Sequence, residues 1–157
     1  MYLDADRKPV KAAVGYARVE TAYDYLGNQT EAAYFGADLK PTENAEGYHR
    51  VSRTWDGEGH QLSEAYYGED GLPVDNLDGY ASFLREFDLN GNLTREVYYD
   101  KDGAVTDVLA GAAEVIREYD EENRLLSERI LMKTACRICS AGITRRCGIP
   151  MTIWGMC

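Results

Sequence analysis

A shift of 32 residues maps this chain onto itself. Starting from residues 66–97, YYGEDGLPVDNLDGYASFLREFDLNGNLTREV, the same pattern returns in both directions. Gly79 has counterparts at Gly15, Gly47 and Gly111; Pro73 answers Pro9 and Pro41; Asp70 answers Asp6, Asp38 and Asp102. Phe87-Asp88 answers Tyr23-Asp24, Trp55-Asp56 and Tyr119-Asp120. Four copies without insertions define units of about 2–33, 34–65, 66–97 and 98–130, followed by a non-repeat tail, 131–157. A period in this range marks a tandem-repeat architecture, in which each unit buries its apolar side against its neighbours.

Within a unit the pattern is that of a β-hairpin. In the third copy Ala81, Phe83, Arg85 and Phe87 alternate with Tyr80, Ser82, Leu84 and Glu86, which puts Phe83 and Phe87 on one face of a strand. The same slots hold Val19 and Tyr23, Val51 and Trp55, and Val115 and Tyr119, so this face is expected to be the buried one. The strand ends in Asp-x-x-Gly at 24–27, 56–59 and 88–91. Asp accepts backbone hydrogen bonds at the first position of a type I turn, and Gly takes positive φ at the fourth. That combination closes a short hairpin. The fourth copy has Asn123 there, the next most tolerant residue.

Second strands are expected over 28–35, 60–67, 92–99 and 124–131, three of them ending in Tyr34-Phe35, Tyr66-Tyr67 and Tyr98-Tyr99. A polar connector then leads to the next unit. It carries Pro41 or Pro73, and proline cannot donate to a sheet ladder, so the connector reads as turn or edge. Residues 110–119 are helix-compatible in isolation, but their register with the other copies makes them strand. The predicted fold is all-β: four tandem 32-residue β-hairpin repeats forming an extended antiparallel sheet or a β-solenoid.

Charge narrows the partners. The whole chain carries 17 Lys and Arg against 27 Asp and Glu. Lys133, Arg137, Arg145 and Arg146 all fall in the tail, which has no acid, so the repeats hold 13 bases against 27 acids. Such a surface repels phosphate backbones and anionic membranes, which argues against nucleic acid as a partner. No apolar run is long enough to span a bilayer. No signal peptide is evident; Met1 is followed at once by repeat sequence, so the chain is expected to start inside a longer protein.

Tyr16, Tyr48 and Tyr80 recur once per unit, as do Tyr34, Tyr66 and Tyr98. Evenly spaced exposed tyrosines can stack on the sugars of a glycan or cell-wall polymer. The competing reading makes them cross-strand packing pairs, each contributing a few tenths to about 1 kcal/mol. Packing is the favoured reading, since a thin repeat sheet needs large side chains to cover itself. The two histidines, His49 and His60, occupy slots filled elsewhere by alanines and by Asn28, Asn92 and Arg124. They read as surface variants, and no Ser-His-Asp or Cys-His set is in view, so neither enzyme activity nor a cofactor is expected. Asp88, Asn90 and Asn92 offer oxygens at alternate positions, as a calcium loop does. The glycine at the sixth position and the Glu at the twelfth are missing, and turn chemistry accounts for the same residues.

Two stretches carry a family resemblance: Tyr23-Asp24-Tyr25-Leu26-Gly27-Asn28-Gln29-Thr30 and Phe87-Asp88-Leu89-Asn90-Gly91-Asn92-Leu93-Thr94. They resemble the YD repeat of Rhs-type bacterial proteins, over the hairpin half of each copy. The second copy departs at Trp55 and His60, the fourth at Asn123 and Arg124. The resemblance implies a bacterial, surface or secreted β-structure that acts as scaffold or casing and performs no chemistry. On it the chain is expected to be a fragment of a larger protein with a structural or interaction role. Glycan or cell-wall binding is one alternative; casing or tethering of a toxin or enzyme domain is another.

All four cysteines, Cys136, Cys139, Cys147 and Cys157, lie in the tail. Cys-x-x-Cys can supply two zinc ligands, but Cys147 and Cys157 form no second such pair. Reading codons from the third base of one residue and the first two of the next gives another account. Met132-Lys133 then encodes Glu, Lys133-Thr134 Asp or Asn, Thr134-Ala135 can encode Gly, Ala135-Cys136 gives Leu, Met or Val, and Cys136-Arg137 can encode Pro. That matches Glu-Asp-Gly-Leu-Pro at 69–73. Met151-Thr152 must encode Asp, 32 residues after Asp120. The codon across Gly142 and Ile143 cannot encode the expected glycine. The tail is therefore expected to be a frameshifted fifth repeat, its cysteines incidental and no metal bound.

Overall fold

The structure, a computed structural model, describes residues 1–133 apart from Ala5, Pro9, Lys11, Ala12 and Ala110. Eight strands follow in chain order: β1 (Arg18–Tyr23), β2 (Gln29–Phe35), β3 (Arg50–Trp55), β4 (Gln61–Tyr67), β5 (Ser82–Phe87), β6 (Leu93–Tyr99), β7 (Glu114–Tyr119) and β8 (Leu125–Leu131). They form one open antiparallel sheet in the order β1 to β8, each strand pairing only with its sequence neighbours. Of the two predicted arrangements this is the extended sheet. No helix occurs among the described residues. The zinc and frameshift readings of the tail lie almost wholly outside the described residues.

The hairpins close as their turn residues dictate. Asp24 Oδ1 accepts the N–H groups of Leu26 and Asn28 at 2.9 and 2.8 Å, and Gly27 N–H bonds Asp24 O at 3.2 Å. Gly27, Gly59 and Gly91 have φ of 90°, 91° and 81°, and Asn123 takes the same left-handed place at 62°. Each second strand begins one residue later than its pattern predicts, because residue 28 and its counterparts still belong to the turn. Asp24 N–H bonds Asn28 O at 2.9 Å. After the turn the pairing slips by one, from Ala22↔Glu31 to Tyr23↔Gln29, and all four hairpins repeat this bulge.

The connector uses the same turn twice more. One copy spans 36–40, 68–72 and 100–104; the other spans 44–48, 76–80 and 108–112. Pro41 and Pro73 sit in isolated bridges to Phe35 and Tyr67, the edge position expected for a residue that lacks an N–H. Gly15, Gly47, Gly79 and Gly111 have φ of 94°, 88°, 87° and 87°, so the four units share one backbone path. At Gly15 a second constraint applies. A Cβ there would lie 2.9 Å from Ala45 N and Asn44 C, where consecutive connectors touch. The sequence-drawn unit boundaries at 33/34, 65/66 and 97/98 cut β2, β4 and β6 near their ends; boundaries before each connector keep every hairpin whole.

Burial follows the predicted face in the interior of the sheet. Val51, Phe83 and Val115 are buried, while Trp55, Phe87 and Tyr119 are half-buried. At the edge the expectation fails. Val19 and Tyr23 hold the same slots but are 38 % and 60 % exposed, since β1 has a neighbour on one side only. Connector residues Tyr48, Val74 and Tyr80 fold onto this face and join Ala32, Val51 and Tyr66 in the core. Between units the strands pair over three residues each, as in Glu31↔Ser52, Ala32↔Val51 and Ala33↔Arg50. Side chains reinforce these seams. Trp55 Nε1–H donates to Gln29 O at 2.9 Å, and Arg53 donates to Gln29 Oε1 at 2.6 Å.

Candidate functional site

The recurring tyrosines converge into one structure. Tyr2, Tyr16, Tyr34, Tyr48, Tyr66, Tyr80 and Tyr98 form an unbroken ladder along the core-side face. Successive ring centroids lie 5.9, 4.7, 5.9, 4.6, 5.7 and 5.0 Å apart. Strands and connectors contribute alternate rungs, so each connector tyrosine is held between second-strand tyrosines of adjacent units. Tyr48 and Tyr66 are only 4 % and 5 % exposed. Neighbouring rings pack against both; the other four predicted positions are half-buried. The ladder stops where the sequence changes: Ala112 and Ile130 stand where a tyrosine pair would continue it.

Hydroxyl chemistry fits packing. Tyr48 O–H donates to Glu46 Oε2 at 2.8 Å, and Tyr66 O–H donates to Glu64 Oε1. Burial, reinforced by these carboxylates, pushes the Tyr48 and Tyr66 phenols well above their ordinary range. Burial pushes Tyr98 up to about 12, with the Glu96 charge adding to it. These phenols stay protonated at any physiological pH.

Beside the ladder runs a row of ion pairs that periodicity alone did not reveal. Arg53–Glu64, Arg85–Glu96 and Arg117–Glu128 span the second, third and fourth hairpins at equivalent slots, at 2.5, 2.7 and 2.7 Å. Glu96 is the one buried acid among the described residues, and Arg85 also lies 4.2 Å from the centre of the Phe83 ring. In the first hairpin Thr21 and Ala32 take these slots. The opposite face carries its own pairs: Arg95 bridges Glu86 and Glu114 at 2.7 Å each, and Arg50 sits over Tyr67 at 4.3 Å.

The hairpin tips hold the remaining candidates. Asp88 sits below the ordinary carboxyl range because the Asn92 side chain and backbone donate to it; Asp120 does so through Arg124. At the second tip the Asp56 carboxylate, Glu58 carboxylate and His60 Nδ1 all lie within 4.8 Å of one another, a spacing that could hold a metal ion. The turn explains these contacts without one. His60 Nδ1 meets Asp56 Oδ2 at 2.8 Å, as Asn28 and Asn92 meet Asp24 and Asp88. The His60 ring also stacks on Phe87, 4.6 Å away. His49 is remote from that tip. It packs edge-on to Phe35 at 5.4 Å and bonds Tyr34 O through Nδ1. The structure thus brings the tyrosines together and keeps the two histidines apart.

Shallow depressions among the described residues include two. One, about 190 Å³, is lined by Tyr16, Tyr34, Tyr48 and the 44–46 turn; the other, about 180 Å³, lies between Tyr67 and the 100–103 turn. Both fall below the roughly 300 Å³ at which small-molecule sites begin. No protein-family model matches the chain, and no curated protein is significantly similar to it.

Proposed function

We propose that the chain is a non-enzymatic repeat scaffold that presents acidic turns at a constant pitch. The observation that carries the reading is the tyrosine ladder. The most regular aromatic set in the sequence packs ring against ring between units, with Tyr48 and Tyr66 buried, which supports a structural role. What remains is a row of hairpin tips at 24–28, 56–60, 88–92 and 120–124, each opening on one aspartate and each two strands from the next. Strands in a sheet lie about 4.8 Å apart, so these tips repeat at roughly 10 Å. The resemblance of the hairpins to YD repeats supports a bacterial surface or secreted setting. It also supports membership of a larger assembly in which such sheets act as casing.

Deleting residues 68–99 tests the modular part of this reading. The cut joins Tyr67 to Asp100 in register and removes β5 and β6. The shortened chain is expected to fold, losing roughly 10 Å of sheet width by scattering. Global unfolding of that variant would show that the units are not interchangeable. Glycan binding is tested separately on the intact protein by co-sedimentation with peptidoglycan and insoluble polysaccharides. The scaffold reading expects the protein to stay in solution, and retention would replace it with a wall-binding module.

A further inference from the structure

Each inner seam of the sheet is built alike. Tyr34 N–H donates to His49 O, Tyr66 N–H to Ala81 O, and Tyr98 N–H to Ala113 O, at 2.9, 2.8 and 3.0 Å. Glu64 faces Phe83 and Glu96 faces Val115 across these seams, as Ala32 faces Val51. β8 repeats the first half of such a seam, but no described strand follows it. The N–H groups of Ile130 and Glu128, in the slots of Tyr34 and Ala32, lie on its outer side. β2, β4 and β6 bury Ala32 and Ala33, Tyr66, and Glu96 and Val97; no residue of β8 is buried, and Leu126 and Ile130 are 66 % and 54 % exposed.

We infer that the outer edge of β8 is the seat of a fifth 32-residue unit, whose coding sequence lies out of frame beneath residues 132–157. The established seams fix what that unit must bring. Continuing their register pairs Glu128 with position 147, the slot of Val51, Phe83 and Val115, which the sheet fills with an apolar side chain. The shifted codon across Arg146 and Cys147 ends in TG, so it encodes Leu, Met or Val and nothing else. The codon across Ile143 and Thr144 encodes Tyr, His or Asn, in the slot of Tyr16, Tyr48 and Tyr80. The codon across Thr144 and Arg145 can encode Ala, in the slot of the buried Ala17, Ala81 and Ala113. At least four slots depart: position 138, which Thr42, Val74 and Thr106 fill elsewhere, can encode only Asn, Asp, His or Tyr; position 139, the slot of Glu43, Asp75 and Asp107, only Leu or Met; and neither the glycine at 143 nor the arginine that Arg53, Arg85 and Arg117 would place at 149 can be encoded. The occupant is thus a further copy of the same module, received through continuity with three existing interfaces.

The test begins with the coding DNA. A one-base insertion within codons 131–133 is expected to open a frame with an apolar codon at 147 and Asp at 152; a stop codon within that frame overturns the inference. The frame-restored chain is then compared with the present one by amide hydrogen exchange. The Glu128 and Ile130 amides are expected to exchange at least about tenfold more slowly in the restored chain. A second variant, with residues 131–157 replaced by a copy of residues 67–98, guards against a fifth unit that does not fold. Unchanged exchange at both amides in both chains overturns the seam.

Discussion

Val51 and Val19 occupy one sequence slot in two structural situations, so truncating each to alanine isolates the contribution of having a neighbour on both sides. Val51 is fully buried between β2 and β4, beneath Tyr48 and Tyr66. Val19 lies on edge strand β1 and is 38 % exposed. Val→Ala removes two carbons, each worth about 0.8 kcal/mol when buried, and a closed site adds a cavity term, giving about 2–2.5 kcal/mol for Val51→Ala. At Val19 roughly three-fifths of that transfer energy is at stake and the open edge leaves no closed cavity, giving about 1 kcal/mol. Urea unfolding followed by far-UV circular dichroism measures both. A difference of about 1.4 kcal/mol corresponds to a tenfold change in the folding equilibrium, well within reach of the method. If the two variants are equally destabilised, stacking of units is not what stabilises the slot, and the repeat-by-repeat account of stability is wrong.

Gly15→Ala and Gly27→Ala separate backbone strain from close approach. Both glycines have φ near 90°, which costs an L-residue about 1–2 kcal/mol, but only Gly15 faces backbone at 2.9 Å; Gly15→Ala should be the more damaging by about 1–3 kcal/mol in the same unfolding assay. Acid should unfold the protein through its turn aspartates. Asp24, Asp56, Asp88, Asp100 and Asp120 are all held below their ordinary 3.8, so the stability they supply is present above that value and lost as pH falls through their lower folded-state values. A midpoint of thermal unfolding that declines already between pH 7 and 5 would contradict this. His60→Asn should leave the second hairpin intact, because Asn28 and Asn92 make the same contact with their aspartates; only the stack on Phe87 is lost, worth about 0.5–1.5 kcal/mol. A loss above about 3 kcal/mol would show that His60 does more than close a turn.

The period made the hairpins and their order legible. Asp24, Gly27 and their counterparts specify the turn chemically, and a turn specifies which strands meet. The ion-pair row was hidden because alternation places Arg85 on the face of Phe83 and Phe87 without naming a partner for its charge. Only pairing across the hairpin brings Arg85 and Glu96 together. The first connector turn was hidden as well. Leu39 and Arg7 adopt φ of 63° and 61° where sister units have Gly71 and Gly103, so half the copies lack the residue that would announce it. Tyr48 and Tyr66 were visible as a periodic set, but spacing cannot distinguish a ring that faces a ligand from one that faces another ring. That distinction depends on where the connector folds, which no residue within the hairpin encodes.

Every strand here meets only the strands just before and just after it in the chain. Such a molecule can be assembled in the order in which it is synthesised. Each hairpin emerging from the ribosome finds a finished docking edge already waiting, and no segment must be held open for a distant partner. Short loop closures of this kind favour rapid folding despite an all-β composition.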